Sequence, residues 1–108
     1  MYKIKVATDF TQTPGARHIE DGAYPGDEFR DKILLPQYLE AVANNQKLII
    51  DLDGCYGYAT SFLEESFGGM VRKLKKKGIM NNIEIISKED ESLKELICNY
   101  VKEEESRI

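Results

Sequence analysis

The sequence is poor in the residues that build metal centres and disulfide frameworks. Among its 108 residues there are two cysteines, one histidine and no tryptophan. Cys55 and Cys98 lie far apart and lack the paired spacing of zinc ligands, which argues against both a structural zinc site and a disulfide scaffold. We therefore expect free thiols, no metal and no cofactor, as is typical of a protein of the reducing cytoplasm.

The sequence also lacks long hydrophobic runs. No apolar stretch approaches the ~20 residues that a membrane-spanning helix needs. Met1 leads directly into an alternating strand pattern, which argues against a secretory signal peptide. We expect a cytoplasmic protein without membrane contact.

The charge balance gives little reason to expect nucleic-acid binding. The formal net charge is −4, and a basic run at residues 72–77 contrasts with acidic residues near the C-terminus. No aromatic residues interleave the basic run, and it falls in the last turns of a predicted helix, where cations complement the helix dipole. We interpret this run as a solvated helix face.

The hydrophobic pattern predicts one compact α/β domain over residues 1–108, with a mainly parallel or mixed sheet of about four strands packed with helices. The near-continuous apolar run at 47–51 is typical of a central strand covered on both faces. We expect Pro36 to kink or restart the first helix. The predicted strands are 2–8, 17–20, 47–51 and 82–86, and the predicted helices are 27–44, 61–77 and a last one that opens at Ser87.

The strand-to-helix connection after Asp51 holds the most informative residues. Thr60 and Ser61 stand where a helix begins, and backbone N–H groups at such a position favour negative charge. Ser61 and Glu64 have the spacing of a capping box. Gly68 and Gly69 lie inside the helical pattern, which indicates a helix break or the close approach of another backbone, either of the protein's own sheet or of a partner.

The sequence resembles the bacterial STAS-like family of unknown function from Phe10 to about Arg72. The name of this family refers to the STAS domains of sulfate transporters and anti-sigma factor antagonists, which are small α/β folds. Four separated segments carry the resemblance, in this order: Thr13–Arg17, Pro25–Arg30, Asp51–Gly54 and Gly57–Gly69.

The resemblance implies a protein-interaction module with a phosphorylation switch. Anti-sigma factor antagonists carry Asp-Ser-Ser-Gly at the turn after the central strand, where a partner kinase phosphorylates one serine. The corresponding residues here are Ala59, Thr60, Ser61 and Phe62, so Ser61 and Thr60 are the phosphorylation candidates. The implied partner is a Ser/Thr kinase or an ATPase of the histidine-kinase-like fold.

A docking or anion-binding surface is expected around this helix start. We expect Glu64 and Glu65 to face outward beside Gly68 and Gly69. If the preceding loop folds over the turn, Arg17 could bind a phosphate or carboxylate, or it could pair with Glu28 or Asp53 instead. The candidate residues for binding a partner or an anion are therefore Arg17, Asp53, Glu64, Glu65, Gly68 and Gly69. A sensor of anions or nucleotides that uses the same turn is the first alternative.

A second alternative is an enzyme. Asp51 and Asp53 after an apolar strand match the opening motif of haloacid-dehalogenase phosphatases, in which the first Asp is the nucleophile and the second an acid/base near Mg²⁺. The motif normally lies near the N-terminus, and we expect no further strand to supply the downstream carboxylates that complete the site. Glu89 and Asp90 stand at a predicted helix start, where the helix dipole explains them better. A nucleophile pair of Cys55 and His18 has no local sequence support.

Overall fold

Three short strands form a parallel sheet in the computed structural model, which describes all 108 residues. The strands are β1 (Tyr2–Lys5), β2 (Leu48–Asp51) and β3 (Ile83–Ile86), and their order in the sheet is β1-β2-β3. The α/β class is confirmed, with three strands in place of about four.

The fourth predicted strand, residues 17–20, does not form. A 3₁₀ turn at Ile19–Asp21 takes its place. The carbonyl groups just before it accept hydrogen bonds from the start of the following helix, with Gly26 N to Ala16 O at 2.8 Å and Asp27 N to Arg17 O at 3.2 Å. Because these carbonyls satisfy first-turn N–H groups, they are not available to a sheet ladder.

Two long helices connect the strands, and each contains a π-helical turn. The first long helix, residues 26–43, is α-helical at Gly26–Phe29, π-helical at Arg30–Leu34 and α-helical at Leu35–Ala43. The second long helix, residues 60–74, is α-helical at Thr60–Leu63, π-helical at Glu64–Gly68 and α-helical at Gly69–Leu74.

A third helix and two short helical turns complete the secondary structure. The last helix spans Ser92–Glu105, and short turns lie at Val6–Asp9 and Ile79–Asn82. None of the helices combines the length and the apolar composition that crossing a membrane requires.

The π-helical turn changes which face of the first long helix is buried. A strictly α-helical pattern predicts Leu39 on the inner side, but Leu39 is 49% exposed. The buried apolar side chains are instead Phe29, then Leu34 five residues later, and then Tyr38 and Ala41. A π-helical turn holds one extra residue, so it shifts the inner face by one position. Pro36 follows directly, where its missing N–H removes one intrahelical bond.

The ends of the later helices differ from the expected ones. The second long helix ends at Leu74 and does not continue to residue 77, because Lys75 after it has left-handed geometry with φ 51°. The last helix begins at Ser92 rather than Ser87, and the Asp90 carboxylate two residues earlier accepts a hydrogen bond from Ser92 N at 3.1 Å. An aspartate before the first turn is an effective cap.

The core lies on one face of the sheet only. Both crossovers step in the same direction, and right-handed connections of that kind place both long helices on the same face. Ile4, Leu48, Ile50 and Ile85 are buried there against the helices. Ile49 points the other way and is half-buried, so the expectation that β2 is covered on both faces is wrong.

The two long helices touch at Gly26. A Cβ on this residue would lie 2.7 Å from the Phe62 carbonyl oxygen and 3.2 Å from Ser66 Oγ. The Ser66 hydroxyl donates its hydrogen bond to Phe62 O at 2.8 Å, and Gly26 O lies 3.3 Å from the same oxygen. Because the obstacle is largely backbone, no side-chain rotation makes room for a methyl group.

We therefore expect Gly26→Ala to lower the free energy of unfolding by about 2 kcal/mol, through overpacking that forces the helices apart. Urea denaturation measures this loss. Gly15→Ala is the matched control, since its Cβ would meet only Thr13 O at 3.8 Å. Equal stability of the two variants would contradict the close helix contact.

Candidate interaction site at the start of the second long helix

The loop between β2 and the second long helix is held by internal hydrogen bonds. The Tyr58 hydroxyl donates to Leu52 O at 2.8 Å, and the Cys55 thiol lies 3.2 Å from the Tyr58 oxygen. Burial raises the pKa of both side chains, so Cys55 remains a thiol near neutral pH. Gly54 has φ 93°, a conformation that favours glycine.

A second loop, residues 10–16, forms backbone hydrogen bonds with the loop between β2 and the second long helix. Tyr56 N donates to Gln12 O at 2.9 Å, and Ala59 N donates to Pro14 O at 3.0 Å. The Cys55 thiol also contacts Thr11 O at 3.4 Å. These bonds fix the path of the chain into the second long helix, while the Tyr56 side chain remains 85% exposed.

The helix begins without a side-chain cap. Ala59 is the N-cap residue, with φ −71° and ψ 139°, and no side chain bonds to the first turn. The expected capping box of Ser61 and Glu64 is therefore wrong. Thr60 is exposed and Ser61 is half-buried, and both lie in the first turn, where the helix dipole favours an anion.

Glu64 binds two arginines instead. Its Oε1 lies 2.6 Å from Arg17 Nη1, and its Oε2 lies 2.7 Å from Arg72 Nη1. Arg72 and then Arg17 hold the pKa of Glu64 below its usual value of 4.5. The loop residue Arg17 therefore pairs with the second long helix, and not with Glu28 or Asp53.

The neighbouring Glu65 lies inside the protein. It is 7% exposed, so the expectation that it faces outward is wrong. Arg30 Nη1 donates to Glu65 Oε2 at 3.2 Å and to Glu65 O at 3.1 Å, which joins the π-helical turns of the two long helices. Arg72 Nη2 adds a third contact, 2.7 Å from Glu65 Oε2.

The arginine cluster extends to the last helix. Glu104, which is 8% exposed, accepts from Arg72 Nη1 at 2.7 Å and from Arg107 Nη1 at 2.8 Å. The sequence pattern predicts Arg72 on a solvated face and does not indicate the contacts of Arg30 or Glu104. A buried carboxylate needs such partners, so Arg72 joins two helices rather than only lining the surface.

The Gly68–Gly69 pair makes room for this cluster. A Cβ on Gly69 would lie 2.5 Å from Arg30 Nη1 and 3.1 Å from Glu65 Oε2, and a Cβ on Gly68 would overlap the Glu64 carboxylate. Both glycines are buried. The close approach is to charged side chains of the same chain, not to the sheet, and neither glycine offers a docking surface.

His18 connects the loop to both long helices. Its Nδ1 lies 2.9 Å from Asp27 Oδ2, and its Nε2 lies 3.4 Å from Glu65 Oε1. The hydrogen bond with Asp27 is the main cause of a pKa raised above the usual 6.5. His18 is bound to carboxylates and not to Cys55, so the nucleophile pair does not assemble.

The sequence matches a STAS-like domain of unknown function over residues 25–93, which is more than half of the chain. The chain belongs to this STAS-like family. No curated protein and no solved structure matches it significantly. The matched segment includes both long helices and β2–β3, but it begins after the loop that supplies Arg17.

The carboxylates of the phosphatase motif in this STAS-like chain bind the backbone. Asp51 Oδ1 accepts from Asp53 N at 2.9 Å, and Asp53 accepts from Glu89 N at 3.0 Å and Lys88 N at 3.2 Å. These N–H groups, Glu89 first, lower the pKa of Asp53. No group of three or more His, Cys, Asp or Glu side chains converges as a metal site. Because backbone N–H groups occupy both carboxylates, the alternative of a Mg²⁺-dependent phosphatase gains no support from this geometry.

A pocket of about 270 Å³ opens between the loops that follow β2 and β3. Parallel sheets commonly bind ligands at this edge. Its lining includes the carboxylates of Asp53, Glu89 and Asp90 but no Lys, Arg or His. A phosphate would meet only like charge in this pocket, so an anion or nucleotide sensor would have to use the turn at Thr60 and Ser61, which lies outside this lining.

Removing the charge of Glu65 should destabilise the fold strongly. We expect Glu65→Gln to lower the free energy of unfolding by about 2 kcal/mol, because Arg30 would lose a buried charged partner. Urea denaturation measures the change. Glu103→Gln is the control, since Glu103 pairs with Arg107 at 3.3 Å on an exposed surface and should cost less than ~0.5 kcal/mol. Similar losses in both variants would refute a special role of the buried pair.

The contribution of His18 should depend on pH. A pKa that is raised in the folded state gives stabilisation that is fully present below 6.5 and is lost as the pH rises through the folded-state pKa. The acids that face His18 are Asp27, Glu65 and Glu20. We expect His18→Gln to reduce the urea midpoint more at about pH 5.5 than at about pH 8.5. A larger effect at the higher pH would contradict this sign.

Proposed function

We propose that this STAS-like domain is a non-enzymatic protein-interaction module of a signalling system. In this proposal the docking surface is the exposed part of residues 56–61, and phosphorylation of Thr60 or Ser61 switches it. The observation that carries the proposal is the uncapped start of the second long helix, with an exposed hydroxyl in its first turn.

The surroundings of the helix start support a protein-binding role. Tyr56 is an exposed aromatic side chain on a loop that backbone bonds hold in place. Exposed aromatic residues on rigid elements are favourable anchors for a protein partner, because little conformational entropy is lost on binding. The nearby pocket is acidic and has no cation to receive a small anionic ligand.

A phosphate at this position would change local charge strongly. It adds about −1.5 to −2 charges and three acceptor oxygens, and the uncapped first turn can receive them. Glu64 lies four residues after Thr60 and three after Ser61, so it shares their helix face. The new charge would repel Glu64 and compete with it for Arg17, which lies in the loop that precedes the first long helix.

Thr60 is the more accessible of the two candidates. It is exposed, whereas Ser61 is half-buried. By resemblance to anti-sigma factor antagonists, the partner would be a Ser/Thr kinase or an ATPase of the histidine-kinase-like fold. Such a kinase would reach the Thr60 hydroxyl without unfolding the helix.

We expect the chain to be phosphorylated at the start of the second long helix and to bind a partner through the same residues. The chain purified from its source cells should carry phosphate at Thr60 or Ser61, as located by mass spectrometry. In pull-downs from the same cells, Thr60→Glu should lose a partner retained by the wild type by at least about tenfold. Tyr56→Ser should weaken the same partner by removing an exposed anchor.

Ser106→Glu is the matched control, because it adds the same charge at an exposed hydroxyl near the end of the last helix. Circular dichroism verifies that all variants fold. If Thr60→Glu and Ser106→Glu retain the same partners and neither Thr60 nor Ser61 is modified, the proposed switch is wrong.

A further inference from the structure

One face of the sheet is left without a covering layer. The side chains on this open sheet face alternate with the buried ones, and Lys3 and Glu84 are exposed while Ile49 and Ile86 are half-buried. Parallel sheets are otherwise found almost only with both faces covered. The strand order places both long helices on the opposite face, so neither of them supplies the missing cover.

The open sheet face has a charge pattern that complements itself. The register places Lys3 beside Ile49 and Ile49 beside Glu84, which gives one row with a cation, an apolar centre and an anion. The next row holds Lys5, Asp51 and Ile86. Lys5 and Asp51 pair within the chain at 3.4 Å, so this row carries no net charge.

We propose that a second copy of this chain covers the open sheet face, in a symmetric dimer whose two-fold axis runs parallel to β2. This rotation places Lys3 of each copy opposite Glu84 of the other, while Ile49 and Asp51 each lie opposite their own equivalents. Stacked sheets lie about 10 Å apart, a gap that an extended lysine and glutamate span together. The interface is isologous, as in most homodimers.

The charge pattern also selects this axis over the other face-to-face arrangement. A two-fold axis perpendicular to the strands would place β1 over β1, and Lys3 would then oppose Lys5. Like charges across an interface are costly. The perpendicular axis creates two Lys3–Lys5 contacts and no contact between opposite charges. The parallel axis creates two Lys3–Glu84 contacts and a single Asp51–Asp51 contact, at which Lys5 lies 3.4 Å from Asp51 in each copy, so the parallel axis is favoured. The face holds only six side chains and is smaller than a standard interface, so we expect a dissociation constant on the order of 10–100 µM.

This proposal does not depend on the proposed function, since neither Thr60 nor Ser61 lies on the open sheet face. Its failure and that of the phosphorylation switch are therefore distinguishable.

Sedimentation equilibrium of the untagged chain tests the dimer with a pair of charge reversals. Lys3→Glu alone places acid opposite acid at both symmetric contacts, and Glu84→Lys alone places base opposite base. Each should weaken self-association by at least about tenfold. An equimolar mixture of the two variants should restore wild-type association. In the mixed dimer the two substituted positions meet with opposite charges at one contact, and the native Lys3 and Glu84 meet at the other.

Lys102→Glu is the matched control, since it makes the same charge change on an exposed position of the last helix and should leave association unchanged. Circular dichroism verifies folding of every variant. A wild-type chain that stays monomeric up to about 500 µM, well above the expected dissociation constant, would overturn the proposal. Association that the single reversals leave intact, or that the mixture does not restore, would also overturn it and would assign the contact to a strand edge or another surface.

Discussion

The rest of the structure depends on the buried hydrogen bonds between Arg30 and Glu65. They join the two long helices at their π-helical turns, where each helix is locally wider than an α-helix and both side chains point inward. A buried ion pair stabilises only when the surroundings complete its hydrogen bonds. Gly69 leaves space for the guanidinium, and Arg72 brings in the last helix through Glu104. His18 and Arg17 then attach the loop that precedes the first long helix.

Much of the fold could be predicted from the sequence, because hydrophobic periodicity follows backbone geometry. The strands 47–51 and 82–86 follow directly from that pattern. The π-helical turns could not be predicted, because a period of 3.6 residues assumes an unbroken α-helix, and Leu39 was misplaced for this reason. The segment 17–20 has a strand-like pattern, but its carbonyls cap a helix instead, a tertiary effect that no local pattern contains.

The candidate site was predictable in position but not in its contacts. Thr60 and Ser61 do begin a helix after the central strand, as the turn pattern indicated. The capping box failed because the helix begins earlier than the box requires: Ala59 is the N-cap residue, and Ser61 already lies inside the first turn. Glu64 binds Arg17 and Arg72 instead, which lie far away in sequence or two turns along the helix. The adjacent pairs Glu64–Glu65 and Gly68–Gly69 were the available signal for a buried charged cluster, because paired glycines one turn after acids leave room for arginines.

The strand order has a consequence for the synthesis of the chain. Tyr2 pairs with Leu48, so β1 leaves the ribosome long before its partner and stays unpaired for several seconds at ordinary translation rates. An isolated apolar strand is a template for misassociation with neighbouring nascent chains. Lysines at positions 3 and 5 interrupt its apolar residues and oppose such contacts. The same lysines therefore protect the nascent chain from aggregation before the sheet exists.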